Sequence, residues 1–173
     1  MGREALHPPS AAALSLKGRA LRYLAAREHS RAELERKLAP HLPRDGDGDG
    51  AAELARVLDE LTARGFISEA RVAESVLHRR AARLGGARVL HELRAKGLPD
   101  DVMTDAAERL RATELTRARQ VWQSRFGQPP QSAAEQARQT RFLAGRGFSG
   151  DVIRRTLAAA GGEGAWQTDE AGL

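Results

Sequence analysis

The sequence predicts an all-α protein of three tandem three-helix repeats stacked into an elongated, curved array. Three observations carry that expectation. Apolar residues recur at helical spacing through the body of the chain. Ala, Leu, Arg and Glu, all good helix formers, dominate, while aromatic residues make up only 4% of the 173 positions. One stop signal is also written three times, as Leu61-Thr-Ala-Arg64-Gly65-Phe66, Leu93-Arg-Ala-Lys96-Gly97-Leu98 and Leu143-Ala-Gly-Arg146-Gly147-Phe148. Each glycine falls where a helix ends in a left-handed residue, a conformation cheap only for glycine. The leucine four residues earlier and the apolar residue just after it are the two positions that touch in a Schellman motif, and the Arg or Lys before the glycine complements the helix dipole.

Taken in order, residues 1–14 read as a disordered tail. Helices are expected over 15–28 and 31–41, the second opened by the capping-box pair Ser30 and Glu33. An acidic, glycine-rich linker over 43–50 leads to a helix at 51–64, where Leu54, Val57, Leu58 and Leu61 share one face. Ser68, standing past Gly65, starts 68–84, and Gly85-Gly86 turns the chain into 86–96. Pro99-Asp100 starts 100–110, which is followed by 112–126 and the turn Gly127-Gln-Pro-Pro-Gln131. Ser132 with Glu135 opens 132–146, and Ser149 opens 149–160. These nine helices group into repeats over 15–66, 67–110 and 111–160, with a second disordered tail at 161–173.

Charge narrows the function. The chain carries a net +5, with 29% charged residues, and its sequence pI is about 10.6. Residues 15–43, 51–98 and 99–160 hold +4, +3 and +3, so the helical body is more basic than the whole and suits a polyanionic partner such as nucleic acid or an acidic protein surface. The chain has no cysteine, which excludes disulfides, thiolate metal sites and a cysteine nucleophile and fits a reducing compartment. No apolar run approaches the roughly 20 residues of a membrane span, and the N-terminus lacks a secretory signal pattern. A soluble cytoplasmic protein is expected.

Catalytic chemistry is not legible. Asp45-Gly-Asp47-Gly-Asp49-Gly50 resembles the opening of a calcium loop, but the twelfth position, where a bidentate Glu is needed, is Arg56. A flexible acidic linker is the better reading. His7, His29, His41, His78 and His91 have no metal-ligand spacing. Glu33 with Lys37, Glu60 with Arg64, Glu92 with Lys96, and Asp105 with Arg109 stand four apart, as helix-supporting pairs do. Phe66, Phe148, and the pair Trp122 and Phe126 read as core, too few and too scattered for a base-stacking platform. No enzyme activity, cofactor or metal is expected.

The arginines are the functional candidates. On 68–84, Ala70, Ala73, Leu77, Ala81 and Leu84 form an apolar stripe; Arg79 and Arg83 point away from it, Arg80 flanks it, and no acid neutralises the ridge locally. Arg88, Arg94 and Lys96 follow on the next helix, and Arg138, Arg141 and Arg146 form a second basic run. Unpaired like charges four apart repel by a few tenths of a kcal/mol, a cost that points to a binding role.

Four segments resemble the bacterial RecX family of regulatory proteins. They are Ala20-Leu-Arg-Tyr-Leu-Ala-Ala-Arg27 with Ser30 to Leu38; Val57-Leu-Asp-Glu-Leu61 through Gly65 to Arg71 and Ala73; Gly86 through Gly97; and Gln139 through Ser149 with Val152-Ile153. They occur in the family's order and span about 17–157. The resemblance implies three tandem three-helix repeats. It also implies binding of the RecA–single-stranded DNA filament in its helical groove, suppressing recombinase, ATPase and coprotease activities. The implied protein is a monomer with accessory contact to single- or double-stranded DNA and none to membrane. The binding positions it implies are Arg79, Arg80, Arg83, Arg88, Arg94, Lys96, Arg138, Arg141 and Arg146. The alternative reading is a helical protein that binds nucleic acid directly through phosphate contacts, since three-helix units resemble helix-turn-helix modules. Two departures stand out. Pro40-His-Leu-Pro43 replaces a short glycine stop, and Val72 stands where the family often has Phe, which is expected to thin the core slightly.

Overall fold

The computed structural model describes residues 14–42 and 49–161. Nearly all of both expected tails, most of the acidic linker with Asp45 and Asp47, and His7 lie outside the described residues. The described chain is all-helical. It divides into two compact units, Met1–Ser68 and Glu69–Leu173.

The first unit holds α1 (Leu16–Ala26), α2 (Arg31–Leu38) and α3 (Gly50–Ala63). Ser15 caps α1, accepting from the Gly18 amide at 3.1 Å. The capping box at α2 is complete: Glu33 N–H donates to Ser30 Oγ, and Ser30 N–H donates to Glu33 Oε2, both at 3.0 Å. The helix expected over 31–41 tightens after Leu38 into a 3-10 turn over Ala39–His41, because Pro40 has no N–H to continue the α ladder. Leu34, Leu38, Leu58 and Leu61 are fully buried together with Ala20, each leucine contributing about 1.5–3 kcal/mol. The ion pairs Lys17–Glu60 and Arg31–Asp59, both at 2.7 Å, tie α1 and α2 to α3 at the rim.

At the end of α3, Gly65 adopts φ 74. Phe66 N–H donates to Leu61 O and Gly65 N–H to Thr62 O, both at 2.9 Å, as a Schellman motif requires. Phe66, however, is 48% exposed and Ile67 only 3%, which corrects the expectation that this phenylalanine is core. Ile67 N–H also reaches Leu61 O, at 3.3 Å, so the chain curls tightly and the second residue past the glycine turns inward.

The second unit holds α4 (Glu69–Arg80), α5 (Gly86–Ala95), α6 (Asp100–Arg125), α7 (Ala133–Gly145) and α8 (Gly150–Gly161). Eight α-helices are therefore present among the described residues, where nine were expected. The segments 100–110 and 112–126 form one continuous helix of 26 residues. Leu110 to Glu114 contains no Gly or Pro to break it. The first half of α6 buries Ala106 and Leu110 with Val72, Val76, Val89 and Leu93. Its second half buries Ala118 and Trp122 with Leu143, Ile153 and Leu157. The three-helix grouping thus appears as three hydrophobic cores, two of which share a helix, and the position 110/111 falls inside it. Val72 is buried in its core. Trp122 donates its buried indole N–H to Gln139 Oε1 at 2.7 Å, which offsets the cost of burying that donor.

Candidate functional site

The α4–α5 turn and the α7–α8 turn meet in the second unit. α4 closes at Arg80, not at 84, and Ala81 to Leu84 continue as turns, with Leu84 N–H still donating to Arg80 O at 3.0 Å. Gly147 closes α7 at φ 87. Gly85 N–H then donates to Arg146 O at 2.9 Å. The two backbones are so close that a Cβ on Gly85 would stand 2.1 Å from the Gly147 carbonyl atoms. Arg146 reaches across and donates from Nη1 to Arg83 O at 3.2 Å, while its guanidinium lies 4.7 Å from the Phe142 ring centroid. The stem of Arg88 packs against Gly147. Arg83, Arg88 and Arg146, from both expected basic runs, therefore share one junction.

A buried cation forms its floor. Arg117, 7% exposed, donates from Nη1 to Ala81 O at 2.9 Å and to Leu84 O, from Nη2 to Leu110 O at 2.9 Å, and from Nε to Thr113 Oγ1 at 3.0 Å. Burial pushes its pKa below the usual arginine value, and the Glu114 charge opposes that shift. Glu114 accepts from Gly86 N–H at 3.2 Å and from the Ser149 hydroxyl at 3.5 Å, so one turn of α6 holds the starts of α5 and α8. Sequence reasoning missed Arg117. Its available signal was its place on the buried stripe of α6, seven residues after Leu110.

The remaining candidates are placed as follows. Arg79, Arg94 and Arg141 are exposed. Arg80 is bonded to Glu92 at 3.0 Å, which corrects the picture of a ridge without an acid: the neutralising carboxylate comes from α5, twelve residues on. Lys96 caps α5 and is half-buried. The Arg138 guanidinium stands 5.8 Å from the Phe126 ring centroid. Of the expected helix pairs, Glu60–Arg64 forms at 2.9 Å and Asp105–Arg109 at 3.7 Å. Glu33 bonds Arg27 at 2.9 Å, and Arg109 also reaches Glu74 at 2.8 Å.

A cleft of about 790 Å³ opens between the end of α6 and α8, lined by Arg119, Trp122, Gln123, Pro129 and Ala160 among others. Among the described residues, neither a histidine nor a carboxylate lines it. Among the described residues no three of His, Asp and Glu converge as metal ligands. Among the described residues no helix is long and apolar enough to cross a membrane.

Comparison with known proteins decides the family. The models of the first, second and third three-helix domains of RecX match residues 17–41, 68–106 and 112–157. The chain belongs to the RecX family. Regulatory protein RecX of Leptothrix cholodnii is 64% identical over 147 residues, covering 85% of this chain and 90% of that one. Regulatory protein RecX of Ralstonia nicotianae is 48% identical over 147 residues, covering 85% and 89%. The crystal structure of RecX from Lactobacillus salivarius shares the fold, with a TM-score of 0.68 at 20% identity, covering 84% of this chain and 94% of that one. The chain is thus a RecX-type regulatory protein.

Proposed function

We propose that this chain is a negative modulator of RecA recombinase: it binds the RecA–single-stranded DNA filament and inhibits recombinase, ATPase and coprotease activities. In this reading it acts in the cytoplasm as a monomer and catalyses no reaction itself. One observation supports the reading above the rest. Membership of the RecX family coincides with a junction at which Arg83, Arg88 and Arg146 are gathered on a rigid frame. Arg117 and Glu114 hold the backbones of this junction, and Arg146, already bonded across it to the Arg83 carbonyl, loses less side-chain entropy when a polyanionic surface arrives. Arg79, exposed on the last turn of α4, extends the same basic segment.

The test is to titrate the protein into RecA-driven strand exchange while recording ATP turnover. Both are expected to fall together at protein ratios well below one per RecA subunit. Strand exchange and ATP turnover that continue unchanged at stoichiometric protein would refute the reading. Direct binding to nucleic acid through phosphate contacts, the second reading, predicts steeply salt-dependent affinity for bare DNA and no effect on RecA at matched salt.

A further inference from the structure

Two guanidiniums lie on one ring where α6 gives way to α7. Arg125 and Arg138 stand 5.9 and 5.8 Å from the Phe126 centroid. Phe126 meets Phe142 edge-on at 5.2 Å, and Arg146 covers Phe142 at 4.7 Å. Arg138, Phe142 and Arg146 stand at i, i+4 and i+8, a single helical face about 12 Å long. Little acid offsets them. Between residues 118 and 150 stand Arg119, Arg125, Arg138, Arg141 and Arg146 against Glu135 alone. Glu135 Oε2 accepts from Gln131 N–H at 2.8 Å. Neither Arg125 nor Arg138 forms an ion pair among the described residues.

A guanidinium resting on an aromatic face keeps its edge N–H groups outward, in the fork that matches phosphate oxygens. The ring also restricts the long side chain, so less freedom is lost on binding. A row of such forks along one helix face fits an anion that repeats at every residue, which a nucleic-acid backbone does and an ordinary acidic peptide does not. A single strand is flexible enough to follow one face, and its unpaired bases have the half-buried edges of Phe126 and Phe142 to meet.

We propose that Arg125 and Arg138, laid on Phe126, are a clamp for the phosphate backbone of single-stranded nucleic acid, continued along α7 by Arg146. This deepens the proposed function by naming which arginines meet nucleic acid, and it rests on that reading only in expecting nucleic acid beside the bound protein. Arg125 is a new assignment.

The probe is a fluorescently labelled oligo(dT), with anisotropy measured on the full chain across a salt series. Each phosphate neutralised on a single strand contributes about 0.7 to the slope of log affinity against log salt. Arg125→Gln with Arg138→Gln is expected to flatten that slope by about 1.4. Phe126→Leu keeps every charge and is expected to weaken binding roughly fivefold or more. Arg125→Lys with Arg138→Lys keeps charge and fold, and is expected to weaken binding with little change of slope, whether or not Phe126→Leu folds. An unchanged slope in the glutamine pair overturns the clamp. So does displacement of oligo(dT) by polyglutamate of equal charge, or a duplex of equal phosphate number binding as tightly. RecA inhibition is read separately: a wild-type protein that inhibits RecA yet ignores oligo(dT) sinks the clamp alone, and one that binds oligo(dT) yet leaves RecA untouched sinks the proposed function alone.

Discussion

Gly85 and Gly86 are neighbours in sequence and buried alike, yet alanine should act oppositely at the two. Gly85 has φ −71 and ψ 163, which any residue adopts. On backbone entropy alone, Gly85→Ala should therefore stabilise by about 0.4–1 kcal/mol. Contact decides otherwise. Its Cβ would stand 2.1 Å from both C and O of Gly147 and 2.2 Å from the Phe148 nitrogen. All three are backbone atoms, so no side-chain rotation relieves the overlap. The α7–α8 turn must retreat, with overpacking costing about 1–3 kcal/mol. The Gly85 N–H···O Arg146 bond goes with it, at about 1 kcal/mol. With the entropic gain taken off, the net expectation is a loss of about 1–4 kcal/mol. At Gly86 the nearest atoms to an added Cβ are Glu114 Oε1 at 3.7 Å and Leu110 Cβ at 3.8 Å, which is ordinary contact. Gly86→Ala, in the first turn of α5, should be neutral or stabilising by up to about 1 kcal/mol. Urea titration followed by far-UV circular dichroism measures both, with Gly150→Ala as the open-space control. Equal midpoints for the two variants would refute the close-approach argument, and a Gly85→Ala protein as stable as wild type would refute the junction itself.

Other outcomes follow from the same structure. Arg117→Met leaves the carbonyls of Ala81 and Leu84 without their donor and should cost about 2–4 kcal/mol, seen as a lower denaturation midpoint. In the first unit, His29 is 3% exposed; burial lowers its pKa from 6.5, with Arg27 and Lys37 also disfavouring the imidazolium and the Arg27 carbonyl and Glu33 favouring it. Because the folded pKa lies below the unfolded one, this contribution to stability is full above about pH 6.5 and is lost as pH falls below it. His29→Gln should flatten melting temperature against pH across that range. Arg79→Glu with Arg83→Glu should weaken RecA inhibition while leaving helicity and melting unchanged, measured by ATP turnover alongside circular dichroism. Gly97→Val, at φ 71, should lower the melting temperature, because a β-branched residue is strained there.

The local grammar was legible without coordinates. Gly65, Gly97 and Gly147 read as helix stops from the leucine four places earlier and the apolar residue behind, and all three have positive φ. Ser30 with Glu33 read as a capping box and forms one. Ser132 caps α7 as expected, though Glu135 turns its carboxylate to Gln131 N–H. Such features are encoded within four to six residues by backbone sterics and hydrogen-bond reach, so a window of sequence contains their whole cause. The nine candidate cations were likewise legible as charges, but not in their partners or their grouping.

What tertiary structure alone decided was where distant pieces of chain touch. Arg80 finds its acid on α5, and Arg146 finds the carbonyl of Arg83, 63 residues away. Gly85 reads as an ordinary turn glycine until Gly147 is seen against it. α6 runs unbroken through an expected boundary although its two halves bury different faces in different cores, and a change of apolar stripe looks like an ending when the neighbours are unknown. Arg117 reads as one more surface cation, yet it is buried, since its worth depends on carbonyls that α4 and its turn supply only after folding. Sequence determines what each segment can form from its own atoms. The pairing of segments is set by packing and desolvation, whose energies belong to contacts between residues far apart in the chain.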